Sequence, residues 1–332
     1  MAQPDGTSEP KQNSPYRKIL VTGGLGFVGA NVCRQLLSRE LELDLVVLDR
    51  FSYAADHRRL DGPDKEKRFV LVRGDVRNDH DVEQALEGCD AVVHLAAETH
   101  VARSFSDPGF FFDANANGTE NLLRLVRQRD IKHFVHVSSA AVYGSVVEEV
   151  DEDAPLRATS PYGMSKALAE EAVMLAARNG LRCSILRPAN VVGVGQNPEK
   201  LFPRFFMQAM KQQPLTIEGT GFQERSFLPV SDLANAIDLV LMRQTTEKLS
   251  VFNVPGQDRL TVLEAASKVF ELTQPMGRVA YVEDRARNDL FQRIDGSRIR
   301  ALGFTQRRTL RQELEAIHAD LLSRVWLQSG RS

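Results

Sequence analysis

Apolar residues fall along this chain in short blocks, and the length of each block limits what element it can form. Ile19-Leu20-Val21, Leu45-Val46-Val47-Leu48, Phe69-Val70-Leu71-Val72, Ala91-Val92-Val93 and Phe134-Val135-His136-Val137 are apolar almost throughout, without polar alternation. Runs of this kind read as strands covered on both faces. Between them the spacing turns helical, over about 30–38 and over 115–127, where Leu122, Leu123 and Val126 share a side. A helix is expected over 162–179, opened by Pro161, a residue at home in a first helical turn. A sixth strand is expected over 181–186, broken by Arg187-Pro188, and a last one at Val251-Phe252-Asn253-Val254. Helices are expected over 233–242, 263–272 and 312–322, and the pair Phe205-Phe206 is expected in a core. Strands alternating with helices predict an α/β chain, a Rossmann-type doubly wound parallel sheet. The segments 191–228 and 256–325 leave that rhythm. They are assigned to a smaller second domain, interleaved with a first one over 17–190 and about 229–255.

Ligands on such a sheet bind at the carboxyl ends of the strands, so the residues that close each strand matter most. The first strand runs into Val21-Thr22-Gly23-Gly24-Leu25-Gly26-Phe27-Val28-Gly29 and then a helix, the context of a dinucleotide-binding turn. Gly23 permits the tight turn, Gly26 leaves room for a pyrophosphate and Gly29 allows close helix packing, with Phe27 and Val28 beside them on the cofactor side. The helix start then offers free N–H groups and a positive dipole end to phosphate. Asp49 closes the second strand, 20 residues after Gly29. An acid there accepts hydrogen bonds from the adenosine ribose and repels a 2′-phosphate, which favours NAD over NADP, while the neighbouring Arg50 pulls the other way. Asp75 and Val76 follow the third strand, Leu95, Ala96 and Ala97 the fourth, and Ser139 the fifth, all on the cofactor edge. Asp75 suits an adenine amino group and equally a turn. Tyr162 and Lys166 are four residues apart on one helix face. A cation beside a phenol lowers its pKa and makes it a usable base, with Ser139 as hydroxyl partner.

Composition narrows the class. The chain has 332 residues, 42% hydrophobic and 26% charged, with a net charge of −2. That is ordinary for a globular protein and gives no sign of a nucleic-acid or anionic-membrane partner. No apolar run reaches the roughly 18 residues of a membrane span. Residues 1–16 are polar, with Pro4, Pro10 and Pro15, and are expected to form a disordered tail. Cys33, Cys89 and Cys183 are few and widely spaced, which fits free thiols in a reducing, cytoplasmic setting better than a disulfide framework. No metal-ligand spacing is present, and no metal is expected.

With the glycine turn, Asp49, Ser139, Tyr162 and Lys166 in this order, the chain resembles the extended short-chain dehydrogenase/reductases that act on nucleotide sugars, over roughly 17–320. The resemblance implies a Rossmann domain with bound NAD, a smaller C-terminal sugar-nucleotide domain, and a homodimer formed through helices of the first domain. Within that group the frame is most similar to the dTDP-glucose 4,6-dehydratases. Tyr53-Ala54-Ala55, Ala96-Ala97-Glu98-Thr99-His100-Val101 with Arg103-Ser104, Pro198-Glu199-Lys200-Leu201-Phe202-Pro203, Gly219-Thr220-Gly221-Phe222-Gln223-Glu224-Arg225, and Asp284-Arg285 with Asp289 carry that likeness. It implies that Asn190 and Arg225 contact the nucleotide diphosphate and that Arg285 and Asp289 hold the phosphate or nucleoside end.

The chain departs from those dehydratases at the catalytic strand. They resemble one another in carrying Ser-Thr-Asp-Glu-Val-Tyr-Gly, where this chain has Ser138-Ser139-Ala140-Ala141-Val142-Tyr143-Gly144, and Ala102 stands where they carry aspartate. The resemblance implies a common first step, in which Tyr162 takes the proton of the sugar 4-hydroxyl as C4 is oxidised. Dehydration then needs a base for the C5 hydrogen and an acid for the departing 6-hydroxyl. Alanine supplies neither, and such groups contribute about 10² to 10⁴-fold each. The stretch is instead similar to that of UDP-hexose 4-epimerases, which need no second acid–base pair. Epimerisation is therefore the leading expectation. A dehydratase with relocated groups is the alternative, with Glu98, Glu148 and Glu149 as substitutes, although solvated loop charge is the simpler reading of those three. A non-catalytic dinucleotide-binding regulatory subunit is a third reading, against which the intact Tyr162 and Lys166 argue.

Overall fold

The computed structural model describes residues 14–38, 43–60, 69–273, 278–284 and 287–329, without the side chains of 325–329. The apolar blocks pair into a central sheet: β1 (Lys18–Thr22), β2 (Asp44–Asp49), β3 (Phe69–Arg73), β4 (Ala91–His94) and β5 (His133–Val137), followed by Cys183–Pro188 and Leu249–Val254. From one edge the order is Leu249–Val254, Cys183–Pro188, β5, β4, β1, β2, β3. Every pairing is parallel. The order reverses between β1 and β4, which opens a crevice at the carboxyl ends of these two strands.

Burial on alternate faces explains why the inner strand blocks are apolar throughout; the edge strand β3 departs from the expectation of cover on both faces, since Val70 and Leu71 stay exposed. Ile19, Val21, Leu45, Val47, Ala91 and Val93 enter one core, with Leu36 of the Phe27–Ser38 helix and Ile237 of the Val230–Met242 helix. Their neighbours Leu20, Val46, Leu48 and Val92 enter the other, with Leu122, Val126 and Val173. Each such side chain fully removed from water contributes roughly 1.5–3 kcal/mol.

A second lobe is built from segments far apart in sequence. Asn190–Val192, Glu224–Pro229 and Asp258–Thr261 form a three-stranded sheet, and Val279–Val282 pairs with Leu215–Glu218. Phe205 and Phe206 lie fully buried in its core with Ile217, Val269 and Ile317. Phe206 also stacks on His318, with ring centroids 5.2 Å apart. Val146–Val150, which the sequence leaves inside the first domain, pairs instead with Gln292–Ile294 and stitches the two lobes together.

Several boundaries differ from expectation. Residues 1–13 of the expected tail lie outside the described residues, but Tyr16 is only 2% exposed. Its hydroxyl meets His133 Nδ1 at 3.1 Å and bonds Arg182, so an aromatic ring ends the tail by closing the amino-terminal edge of the sheet. The helix after the glycine turn starts at Phe27 rather than 30. The expected helix over 115–127 begins earlier, as a helical run through Pro108–Phe112, a π-turn over Asp113–Asn117 and Gly118–Val126. Arg187-Pro188 does not break its strand. Pro188 is its last residue, where a missing N–H is tolerated, and Arg187 is buried against Glu170 at 2.6 Å.

Among the described residues no helix is long and apolar enough to cross a membrane, and no cluster of His, Cys, Asp and Glu is placed to hold a metal ion. Cys33, Cys89 and Cys183 are free and buried, and burial pushes each thiol up to about 12.

Candidate functional site

The crevice is one continuous cleft of about 490 Å³ between the sheet and the second lobe. Its cofactor side is formed largely by backbone. Gly23 sits at φ +69°, and a Cβ there would lie 2.9 Å from the backbone of Ala96. A Cβ on Gly29 would lie 2.1 Å from the carbonyl oxygen of Gly23. The turn can therefore close only without side chains at these two positions. Gly26, Phe27, Val28 and Gly29 line the cleft at the start of the Phe27–Ser38 helix, where first-turn amides have no intrahelical acceptor. This cradle fits a pyrophosphate.

Asp49 lies in the cleft wall with its carboxylate already oriented. It accepts from Leu25 N at 3.0 Å and from Phe51 N at 2.8 Å. Burial pushes its pKa up, against those amides and the nearby Arg50 and Arg59. Phe51 adopts φ 60°, a left-handed backbone conformation uncommon for a bulky residue, which curls the chain around the carboxylate. Arg50 turns toward Glu98, which it pairs with, and lies 5.2 Å from the centre of the Phe110 ring. Asp75, Val76, Leu95, Ala96 and Ala97 also line the cleft. The Asp75 carboxylate is held by Arg77 at 2.7 Å. Burial raises its pKa, and the hydrogen bonds from Arg77 outweigh that and leave it lowered.

At the centre, Ser139 caps the short Ala140–Tyr143 turn, its Oγ accepting from Ala141 N at 3.2 Å. Ser160 caps the Pro161–Arg178 helix by accepting from Gly163 N at 3.1 Å, which places Tyr162 and Lys166 on the cleft side of its first turns. Tyr162 is 9% exposed. Burial pushes its phenol up, partly offset by a hydrogen bond with Ser139. This differs from the expected lowering by Lys166. The ammonium is instead anchored to Val137 O at 2.8 Å, and burial holds it down to about 8 against the pull of Glu170. In the protein alone, burial governs the phenol and Ser139, not Lys166, supplies the opposing pull.

Ala140 and Ala141 face apolar surroundings. Ala141 packs with Phe111 and Tyr162, flanked by Val101 and Phe110. Ala140 packs with Val142, Tyr143, Ala189 and Ile294. Ala102 also lines the cleft. Glu148 and Glu149 are both exposed in Val146–Val150, with Glu149 bound to Arg259 at 2.9 Å, outside the cleft. Glu98 is in the cleft but turns toward Arg50, beyond β2, whereas Ser139 follows β5 on the opposite side of β4.

Of the residues expected to hold substrate, Asn190, Arg225 and Asp289 share the cleft, and Arg285 lies outside the described residues. Asp289 accepts from Thr159 Oγ1 at 2.6 Å and from Gln292 Nε2 at 3.1 Å. Arg225 donates to Asn288 Oδ1 at 2.9 Å, and Asn190 lies 3.5 Å from Gln292 Oε1. The sequence gives no signal for Arg59, which donates to Leu25 O, Ala54 O and Gly195 O and fastens the glycine turn to the second lobe. Asn115 is another such residue, reaching Glu98 and Ser165 from the π-turn.

With this geometry in place, known proteins give the context. The sequence profile of the NAD dependent epimerase/dehydratase family matches residues 19–254. The trifunctional UDP-glucose 4,6-dehydratase, 3,5-epimerase and reductase of Arabidopsis thaliana is 35% identical over 91% of this chain, which spans 46% of that enzyme's length. The dTDP-glucose 4,6-dehydratase of Streptomyces venezuelae, solved with NAD bound, is similar at a TM-score of 0.89 and 32% identity, covering 93% of this chain and 98% of that one. The UDP-glucuronic acid 4-epimerase of Bacillus cereus, solved with UDP-glucuronic acid and NAD, is similar at a TM-score of 0.87 and 27% identity, covering 92% of this chain and 99% of that one. By these matches the chain belongs to the NAD-dependent epimerase/dehydratase family, with NAD as its cofactor.

Proposed function

We propose that this enzyme epimerises C4 of a nucleotide-activated hexose. The observation that carries this reading is the apolar wall beside Tyr162, made by Ala141 and Phe111, where dehydration would require acid–base groups. The carboxylates that line the cleft are each engaged elsewhere: Asp49 by backbone amides, Asp75 by Arg77, Glu98 by Arg50, Glu199 by Tyr53, Glu218 by Arg204 and Asp289 by Thr159. An apolar wall also offers the sugar no hydrogen-bonding partner, so a 4-keto sugar can turn over and present its other face. Tyr162 takes the proton of the 4-hydroxyl and later returns it, with Ser139 orienting the oxygen. NAD, when bound, accepts hydride from C4 and gives it back. Lys166 holds positive charge beneath the pair. Asp49 would hold the adenosine ribose and Asp75 would lie toward the adenine, while Leu95, Ala96 and Ala97 would let the cofactor approach. Asn190 and Arg225 bind the diphosphate, with Asp289 and Arg285 toward the nucleoside. Met164, Leu168 and Leu175 leave an apolar stripe exposed on the Pro161–Arg178 helix, which supports a homodimer through that helix.

The second reading is a 4,6-dehydratase, supported by likeness to the Streptomyces venezuelae enzyme at a TM-score of 0.89. Incubation with UDP-glucose and dTDP-glucose separates the two. Unchanged mass with an inverted C4 signal in the proton spectrum is the expected result. Loss of one water with a new C6 methyl signal would establish dehydration instead.

A further inference from the structure

A buried hydrogen-bond chain crosses the sheet beneath the cleft and joins the two halves of the catalytic centre. It begins at Thr22, the last residue of β1, immediately before the glycine turn. Thr22 Oγ1 accepts from Leu95 N at 3.2 Å and Ala96 N at 3.1 Å, two residues of the cofactor wall, and meets His94 Nδ1 at 2.7 Å. A hydroxyl has two acceptor positions and one hydrogen. Leu95 N is shared with Thr22 O at 3.2 Å, so the far end of the path decides: Thr119 Oγ1 spends its one hydrogen on the Asn115 carbonyl and accepts from His94 Nε2, which leaves Nδ1 to accept from Thr22. The imidazole therefore carries its proton on Nε2 and donates to Thr119 Oγ1 at 2.9 Å, and Thr119 donates in turn to Asn115 O at 2.6 Å.

From Asn115 the chain reaches the catalytic helix. The π-turn over Asp113–Asn117 carries this buried side chain. Its amide donates to Glu98 O at 2.9 Å and to Ser165 Oγ at 2.9 Å, and its oxygen accepts from Glu98 N at 2.7 Å. Ser165, the residue before Lys166, donates to Tyr162 O at 2.8 Å. Every donor in this path has an acceptor; Asn115 joins its two parts, its backbone carbonyl taking Thr119 and its side chain reaching Ser165.

We propose that His94 is a positioning residue, whose neutral imidazole ties the end of β1 and the cofactor wall to the first turns of the catalytic helix and so sets Tyr162 and Lys166 in register with the cofactor. Its surroundings suit that role. His94 is 1% exposed and packs beside the rings of Phe134 and His136. Burial, with Lys166 nearby, holds its imidazole down to about 3. It therefore stays neutral at working pH. The inference rests on Tyr162 and Lys166 as the proton-handling pair, which epimerisation and dehydration share, so the product formed does not decide it.

The test compares Thr119→Val, which keeps shape and removes the hydroxyl, with Thr119→Ser, which keeps the hydroxyl, alongside His94→Phe. Turnover is followed on UDP-glucose and dTDP-glucose, and amide hydrogen exchange is measured over 160–168 in the NAD-loaded protein. A misplacement of about an ångström at a reacting centre costs on the order of 10²-fold. Thr119→Val is therefore expected to lower kcat by roughly 10- to 100-fold with the sugar-nucleotide KM within about twofold, and to speed exchange over 160–168, while Thr119→Ser stays close to the parent on both. Unchanged exchange over 160–168 in Thr119→Val, or equal impairment in Thr119→Ser, would overturn the proposal. Both Thr119 variants report even if His94→Phe does not fold.

Discussion

The two sides of the cleft are built by different means. On the cofactor side, backbone does most of the recognition: a turn closed by Gly23 and Gly29, helix amides, and a carboxylate fixed by Leu25 N and Phe51 N. On the substrate side, side chains do it: Asp289 on Thr159, Arg225 on Asn288, and Asn190 beside Gln292. The first arrangement is local in sequence and tolerates little change. The second is assembled from residues up to 130 positions apart, and each member is expected to be replaceable at modest cost. Tyr162 stands where the two meet, against Ser139 on one side and the Phe111 and Ala141 wall on the other.

The largest effect is expected at that meeting point. Tyr162→Phe removes the proton acceptor, and kcat should fall by about 10³-fold, within the usual 10² to 10⁴ range for such groups. Nucleotide-sugar binding measured calorimetrically should remain. Next comes Gly29→Ala, whose methyl would press into the carbonyl of Gly23 at 2.1 Å. Overpacking of this kind costs about 1–3 kcal/mol, so NAD affinity should drop roughly 10- to 100-fold, read by the cofactor retained through gel filtration. If Gly29→Ala keeps its NAD, the claim that backbone sterics dictate the cofactor side fails.

Asp49→Asn should act more narrowly. A hydrogen bond to a charged group contributes about 1.5–3 kcal/mol, so the preference for NAD over NADP should shrink by about tenfold or more in titrations with each dinucleotide. The smallest effect belongs to the substrate side. Arg225→Lys keeps charge and loses the planar fork, and an ordinary hydrogen bond is worth about 0.5–1.5 kcal/mol. Steady-state kinetics should show KM for the nucleotide sugar rising a few-fold at nearly constant kcat. A large fall in kcat with Arg225→Lys would mean the substrate side is as exacting as the cofactor side.

The same contrast explains what was legible in the sequence. Gly23, Gly29, Asp49 and the Tyr162 and Lys166 pair announce themselves because sterics or helical spacing tie each to its neighbours. The parallel sheet was legible for the same reason, since strands buried on both faces must be apolar throughout. Arg59 carried no such mark. Its partners Leu25 O, Ala54 O and Gly195 O are backbone carbonyls up to 136 residues away, and a carbonyl has no sequence identity. Asn115 was hidden because its place in a π-turn interrupts the helical spacing around it. Tyr16 was read as tail because one aromatic residue beside Pro15 gives no periodic signal. The expected lowering of the Tyr162 pKa missed because spacing says nothing of burial, which raises it, or of the Val137 carbonyl that holds the Lys166 ammonium.

The central claim is that hydride leaves C4 and returns to C4. The most direct measurement uses nucleotide glucose carrying deuterium at C4, in both uridine and thymidine diphosphate forms, with the product read by mass spectrometry and NMR. Unchanged mass, with deuterium retained at an inverted C4, is the expected result. Deuterium found in a new C6 methyl group, with one water lost, would contradict it.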